Sequence, residues 1–231
     1  MLAFIAAAEP QIVFADDFGA ASRGGVGRNI IDQPPPTGLG YATNVHEGHA
    51  LRKWIIADVE PAGPRRSFWT IPILEDGTVA DYAEQAGRSR NSIAYVGTPL
   101  PADAAHYVIE FRQRAHDNDF IGFVLGASSP DLPHDGIEIA YQRQTPGTDD
   151  TVPHVHYRSP WGEGVILDRA YMRQWVQHRI EVRGDHVSWS QNGELMLEGP
   201  VATMPVGGWF GIRQSYERGT RYDDVRISLV P

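Results

Sequence analysis

One carboxylate, two imidazoles and a guanidinium recur at strand spacing in the stretch Asp135–Gly162, DGIEIAYQRQTPGTDDTVPHVHYRSPWG. Side chains alternate between the two faces of an extended chain, so Ile137, Ile139 and Tyr141 point one way while Glu138, Ala140 and Gln142 point the other. His154, His156 and Arg158 alternate in the same manner with Val155 and Tyr157. Between the two runs, Thr145–Pro153 is rich in Pro, Gly and Asp and reads as a turn or loop. Antiparallel pairing of two such strands must superpose their apolar faces, which puts Glu138, Gln142, His154, His156 and Arg158 on one surface.

On a saccharide, the ligand implied by the family resemblance that other segments of this chain carry, those residue types could act in three ways. A polysaccharide lyase acting on a uronate needs a cation to neutralise the carboxylate, a base for the C5 proton and an acid for the leaving oxygen. Arg158 or Arg213, His154 or His156, and Tyr157, Tyr216 or Tyr41 are the candidates in that order of role, although Tyr157 is expected to face away from the histidines. A hydrolase would use Glu138 as acid or base, with His46, His154 or His156 holding a divalent metal or polarising a keto group, because histidines two apart on a strand can chelate. A pure binder would stack Trp54, Trp69, Trp161 or Trp209 against pyranose rings, where the competing role for each tryptophan is core packing.

Further candidates lie upstream. The stretch Gly38–Ile56 holds Tyr41, Asn44, His46, Glu47, His49, Arg52 and Trp54. His46 and His49 flank Glu47, but Gly48 disfavours the helix that would place both imidazoles on one face. Arg88, Arg90 and Asn91 stand ahead of a strand and can fork onto a carboxylate or phosphate. Asp16 and Asp17, with Asp223 and Asp224, are candidates for a structural calcium site joining the two ends, or are ordinary turn acids.

These residues require a scaffold of strands. No apolar helical period persists beyond about three turns, and Gly and Pro are plentiful, as expected of strands and loops. Ile12–Phe18 reads as a first strand followed by a Gly-rich loop through Gly27, and Pro34-Pro35-Pro36 as an extended loop. Phe68–Leu74 is a strand interrupted by Pro72, and Asp81–Ala86 has the composition of a short helix. YVIEFRQRA from Tyr107 and the apolar Phe120–Leu125 are expected to be adjacent antiparallel strands, the second central and covered on both faces. His178–Val182, His186–Ser190 and a third strand after Asn192-Gly193 form a meander. Tyr222–Val230 alternates Val225, Ile227 and Leu229 against Asp224, Arg226 and Ser228. Strands without βαβ alternation indicate an antiparallel β-sandwich.

Length and charge narrow the classes. A chain of 231 residues suits one sandwich domain, assigned to residues 11–231. A net charge of −9 disfavours coating a nucleic acid. There is no cysteine, hence no disulfide or thiol chemistry. No run approaches the roughly 20 apolar residues of a membrane helix. Residues 1–10, MLAFIAAAEP, read either as the remnant of an export signal, giving a periplasmic or secreted protein, or as an ordinary terminus.

Three segments, IVFADDF, WVQHRIEVRGDHVSWSQNGE and GWFGIRQSYERGTRYDDVRI, resemble the concanavalin A-like lectin/glucanase superfamily. The closing segment most resembles the bacterial YesU-like family and relatives of the keto-disaccharide hydrolases. The resemblance implies a jelly roll of two curved antiparallel sheets with a saccharide on the concave face. Retaining glucanases of that superfamily use a Glu-x-Asp-x-x-Glu strand, whereas DGIEIAY supplies Glu138 alone. The expected partner is an oligosaccharide or polysaccharide.

Overall fold

The structure is a computed structural model and describes residues 9–28, 47–58, 67–74, 76–87, 92–115, 120–144, 154–167, 174–215 and 220–231. The strands in chain order are β1 (Gln11–Asp16), β2 (Arg23–Arg28), β3 (Glu47–Leu51), β4 (Trp54–Asp58), β5 (Ser67–Pro72), β6 (Ala83–Gly87), β7 (Ser92–Val96), β8 (His106–Arg114) and β9 (Phe120–Ala127). They continue with β10 (Ile137–Gln144), β11 (His154–Ser159), β12 (Gly162–Leu167), β13 (Val176–Arg183), β14 (His186–Gln191), β15 (Glu194–Pro200), β16 (Trp209–Ser215) and β17 (Thr220–Leu229).

Two antiparallel sheets face each other. The ten-stranded sheet runs β15-β14-β13-β8-β17-β6-β5-β3-β2, with β1 paired to β17, and the seven-stranded sheet runs β12-β11-β10-β9-β16-β7-β4. The alternation read in the sequence is the alternation of burial: β13 reads buried, exposed, buried along its length, so one face of each strand enters the core. Phe111, Phe123, Tyr141, Trp189, Phe210, Ile212, Tyr222 and Ile227 meet there, drawn from both sheets.

That core is not purely apolar. His178 is fully buried and stacks on Phe111 with ring centroids 4.6 Å apart. Trp189 Nε1 donates to His178 Nδ1 at 3.2 Å, which fixes the proton on Nε2, and that atom donates to Gln113 Oε1 at 3.1 Å. Tyr141 Oη donates to the same Gln113 oxygen at 2.8 Å. A buried polar chain of this kind ties β8, β10, β13 and β14 together with directional bonds.

The meander forms as expected: Gln191 pairs with Glu194, and Asn192 and Gly193 take φ of 50° and 81°. Two left-handed residues match the twist of a tight hairpin, which is why Asn-Gly sits there. Three expectations are corrected. The helix expected over Asp81–Ala86 is instead strand β6 from Ala83, because pairing with β5 and β17 and the burial of Ala83 and Gln85 override helical composition. The Gly-rich loop through Gly27 includes strand β2. The runs from Tyr107 and Phe120 are not neighbours: β8 pairs with β13 and β17, while β9 pairs with β10 and β16 in the other sheet. The chain therefore crosses between sheets after Ala115. The Pro34-Pro35-Pro36 loop and the export-signal reading of residues 1–8 lie outside the described residues. No helix among the described residues is long and apolar enough to cross a membrane.

Candidate functional site

Strand β9 sits between β10 and β16, and its register draws a transverse row on the face turned away from the core. Arg213 of β16 is opposite Gly122 of β9, Gly122 is opposite Ala140 of β10, and Ala140 is opposite Arg158 of β11. Three strand spacings separate the two arginines, about 14 Å at Cα, with only a glycine and an alanine between them. A Cβ on Gly122 would come 2.8 Å from the Ile139 carbonyl oxygen, so this floor is kept low by the closeness of the neighbouring strand.

Glu138 stands two residues along β10 from Ala140, and both arginines lean toward it. The Arg213 guanidinium donates to Glu138 Oε1. Arg158 approaches the second oxygen at 3.9 Å, and His134 Nε2 lies 3.5 Å from it. The side chains of Glu138, Arg213 and His134 are 19%, 13% and 13% exposed, whereas Arg158 is 52% exposed. Burial pushes the Glu138 carboxyl up, but the His134 hydrogen bond and the Arg213 charge outweigh it and hold the group below its ordinary value. Glu138 is thus an ionised acceptor in its resting state.

His134 arrives on the loop between β9 and β10, which folds back over the same face. Ser128 N donates to Asp135 Oδ1 at 2.8 Å, Tyr95 Oη donates to the Asp131 carbonyl at 3.3 Å, and Leu132 packs on a small second apolar cluster of Ile93, Tyr95, Val124 and Ala127. The loop is a wall beside the arginine row. Sequence patterning gave no sign of it, since a loop carries no periodicity and only its fold-back brings His134 to Glu138.

The register places the other expected residues plainly. Gln142 is opposite His156, and Gln144 is opposite His154, so the backbone positions of Glu138, Gln142, His154, His156 and Arg158 share one face as the alternation required. Tyr157 is opposite Tyr141 on the inner face, packed against the core. That removes Tyr157 from the group. His49 also stands apart: it belongs to β3 of the other sheet, and its Nδ1 is 3.0 Å from the Gly24 carbonyl oxygen, where it serves the β2–β3 pair. His46, Arg88, Arg90, Asn91 and Tyr216 lie outside the described residues, as do Tyr41 and Asn44.

The tryptophans divide by burial. Trp54 and Trp69 are core residues whose indoles donate to Asp16 and Ser92. Trp161 packs beside the core, and its Nε1 donates to the Pro200 carbonyl at 2.8 Å. Because β12 and β15 are the edges of their sheets, Trp161 closes one side of the sandwich rather than joining the Glu138 group. The half-buried Trp209 packs on the second cluster, and Trp175 is exposed.

The acids proposed for calcium are engaged by protein donors. Asp16 accepts from Phe18 N at 3.0 Å, Trp54 Nε1 at 2.7 Å and the Ser22 hydroxyl, with Lys53 Nζ at 3.6 Å. Asp223 and Asp224 both hold Arg112. Calcium needs six to eight open oxygen ligands, which these carboxylates do not offer. The ends are joined instead by the β1–β17 ladder, in which Asp16 is opposite Val225. Among the described residues no group of three or more His, Asp or Glu side chains could hold a metal ion.

No protein-family model matches the chain, and no curated protein matches it. Solved structures do. One described under "Prominent members of the human gut microbiota express endo-acting O-glycanases to initiate mucin breakdown" aligns with a TM-score of 0.52 at 10% identity, over 96% of this chain and 100% of that one. A carbohydrate binding module, CBM66, from Bacillus subtilis aligns at 0.48 and 10% identity over 76% and 95%. A Bacillus subtilis protein of unknown function with a galectin-like fold aligns at 0.49 and 12% identity over 80% and 98%. At 10% identity the first of these speaks for architecture alone, an antiparallel β-sandwich, as the strand pairing of this chain also gives.

Proposed function

We propose that this chain is a carbohydrate-active jelly-roll domain that receives a saccharide on the outer face of its seven-stranded sheet, at the exposed Arg158 beside Glu138. The observation that carries the reading is the convergence of Arg213 and Arg158 on the ionised Glu138. An ionised carboxylate flanked by two guanidiniums offers acceptors for sugar hydroxyls and donors for a sugar carboxylate, in fixed positions. A uronate-containing glycan satisfies both. Saccharide is also what the glycanase of the same architecture acts on.

Recognition is favoured over acid hydrolysis. A general acid must be protonated at working pH, and Glu138 is held on the opposite side of that requirement. A second carboxylate on the same face, Glu163, is opposite Arg158 on β12, two strands away from β10. By strand spacing Glu138 and Glu163 stand about 12 Å apart at Cα, with Arg158 on the strand between them.

A second reading, β-elimination from a uronate, has one observation in its favour: positions 154 and 156 adjoin Gln142 and Gln144 on the face where Arg158 lies. An arginine would neutralise the substrate carboxylate and a histidine would take the C5 proton as the bond from C4 to the glycosidic oxygen breaks, that oxygen being protonated by solvent, with Glu138 needed only as an acceptor. The narrower kinship with the YesU-like family, the assignment of residues 11–231 to one domain and a periplasmic or secreted location belong to the same proposal.

Incubation with polygalacturonate, alginate and a neutral β-glucan separates the readings. Binding of a uronate polymer without new ultraviolet absorbance or reducing ends supports recognition, and absorbance of an unsaturated uronate supports elimination. Reducing ends alone, or no interaction with either uronate polymer, would overturn the proposal.

A further inference from the structure

The outer face of the ten-stranded sheet carries a second cluster. Tyr82 immediately precedes β6 and Trp175 immediately precedes β13, and the register Ala83–Tyr222–Gln113–Val176 sets them at two corners of a patch spanning β6, β17, β8 and β13. Their rings meet at 64° with centroids 6.3 Å apart. The Arg112 guanidinium lies over the Trp175 ring at 5.3 Å, and that of Arg221 over the Tyr82 ring at 4.6 Å. Arg112 also grips Asp223 and Asp224, with its Nε 2.9 Å from the Asp224 carboxylate.

Trp175 is 37% exposed, the one tryptophan of the chain's six that is not buried or half-buried. Its open part forgoes apolar burial, and the indole is held still by a cation stacked on it. A fixed ring binds without first losing rotamer freedom. Beside it, Arg112 and the exposed Asp224 form a donor and acceptor pair at the rim of the aromatic surface.

A pyranose has an apolar C–H face and a rim of hydroxyls, which match an indole and an Arg–Asp pair respectively. The two arginines are matched by Asp223, Asp224 and Glu84, so the cluster has no net cation with which to select an acidic ligand. We infer that Trp175, Tyr82, Arg112 and Asp224 form a second saccharide site, for a neutral pyranose, on the sheet opposite the one carrying Glu138. Two sites on opposite outer faces would let one copy of the chain hold two glycan strands. This inference does not depend on what the Glu138 face binds.

The full chain is tested by affinity electrophoresis in gels containing a β-glucan, a xylan, a galactomannan or polygalacturonate, and by N-bromosuccinimide oxidation mapped by mass spectrometry. At least one neutral polymer is expected to retard the wild type, and Trp175→Ala is expected to abolish that retardation. The same polymer should slow Trp175 oxidation by about tenfold once the site is nine-tenths occupied. The oxidation measurement uses unaltered protein and so decides the matter even if Trp175→Ala does not fold. Retardation by no neutral polymer, retardation that survives Trp175→Ala, unchanged oxidation, or protection by polygalacturonate alone would each overturn it.

Discussion

Arg213 reaches Glu138 diagonally, across the glycine that separates their strands: Arg213 is opposite Gly122, while Glu138 is opposite Val124, two residues further along β9. Position 122 itself carries no side chain, and a Cβ there would meet β10 at the Ile139 carbonyl oxygen. Together with the His134 hydrogen bond, the Arg213 contact keeps the Glu138 carboxylate ionised, and so bears on what that face can do.

Acid titration should report this contact. The folded pKa of Glu138 is depressed, so its contribution to stability is complete above the unfolded value of about 4.5 and is lost as pH falls through the folded value. Glu138→Gln should therefore lower stability at neutral pH by about 1–3 kcal/mol and make the acid side of the stability profile shallower. Urea denaturation from about pH 7 down to about pH 3 checks both, and parallel profiles for the two proteins would contradict it.

Trp161 is expected to matter for the sandwich and not for the ligand. Its indole lies against Gly199, where a Cβ would come 2.7 Å from Nε1, and joins the two sheet edges through Pro200. Trp161→Ala should cost about 2 kcal/mol, less than a fully buried tryptophan, with saccharide affinity unchanged. Loss of affinity at unchanged stability would return Trp161 to the binding face.

Calcium should be dispensable at Asp16. Chelator treatment or added calcium is expected to leave the melting temperature where it was. Asp16→Ala, by contrast, strands the Trp54 indole and the Phe18 amide and should cost about 1–3 kcal/mol. A chelator-sensitive melting temperature that Asp16→Ala renders insensitive would restore a metal there.

Residues whose burial alternates were legible in the sequence. Ile137, Ile139 and Tyr141 enter the core and their neighbours leave it, because a one-residue slip would invert every side chain of β10. The face shared by Glu138 and positions 154, 156 and 158 followed from that parity alone. What periodicity could not give was partnership between distant strands: β8 and β9 are chain neighbours in different sheets, and Arg213 reaches Glu138 only because β16 lies beside β9. Ala83, Glu84 and Gln85 have helical composition, yet their neighbours are strands, and the ladder decides. His134 and Trp175 sit outside any alternating run, so only the folded arrangement brings them to charged partners.

The account rests most directly on Arg158, which is half-exposed and can be removed with little effect on the fold. Calorimetric titration with polygalacturonate oligomers should give measurable binding to the wild type, and Arg158→Ala, melting at the same temperature, should weaken it by about tenfold or more, as expected for a charge-assisted hydrogen bond. Equal affinity of the two proteins, or no heat of binding from either, would contradict a saccharide on this face.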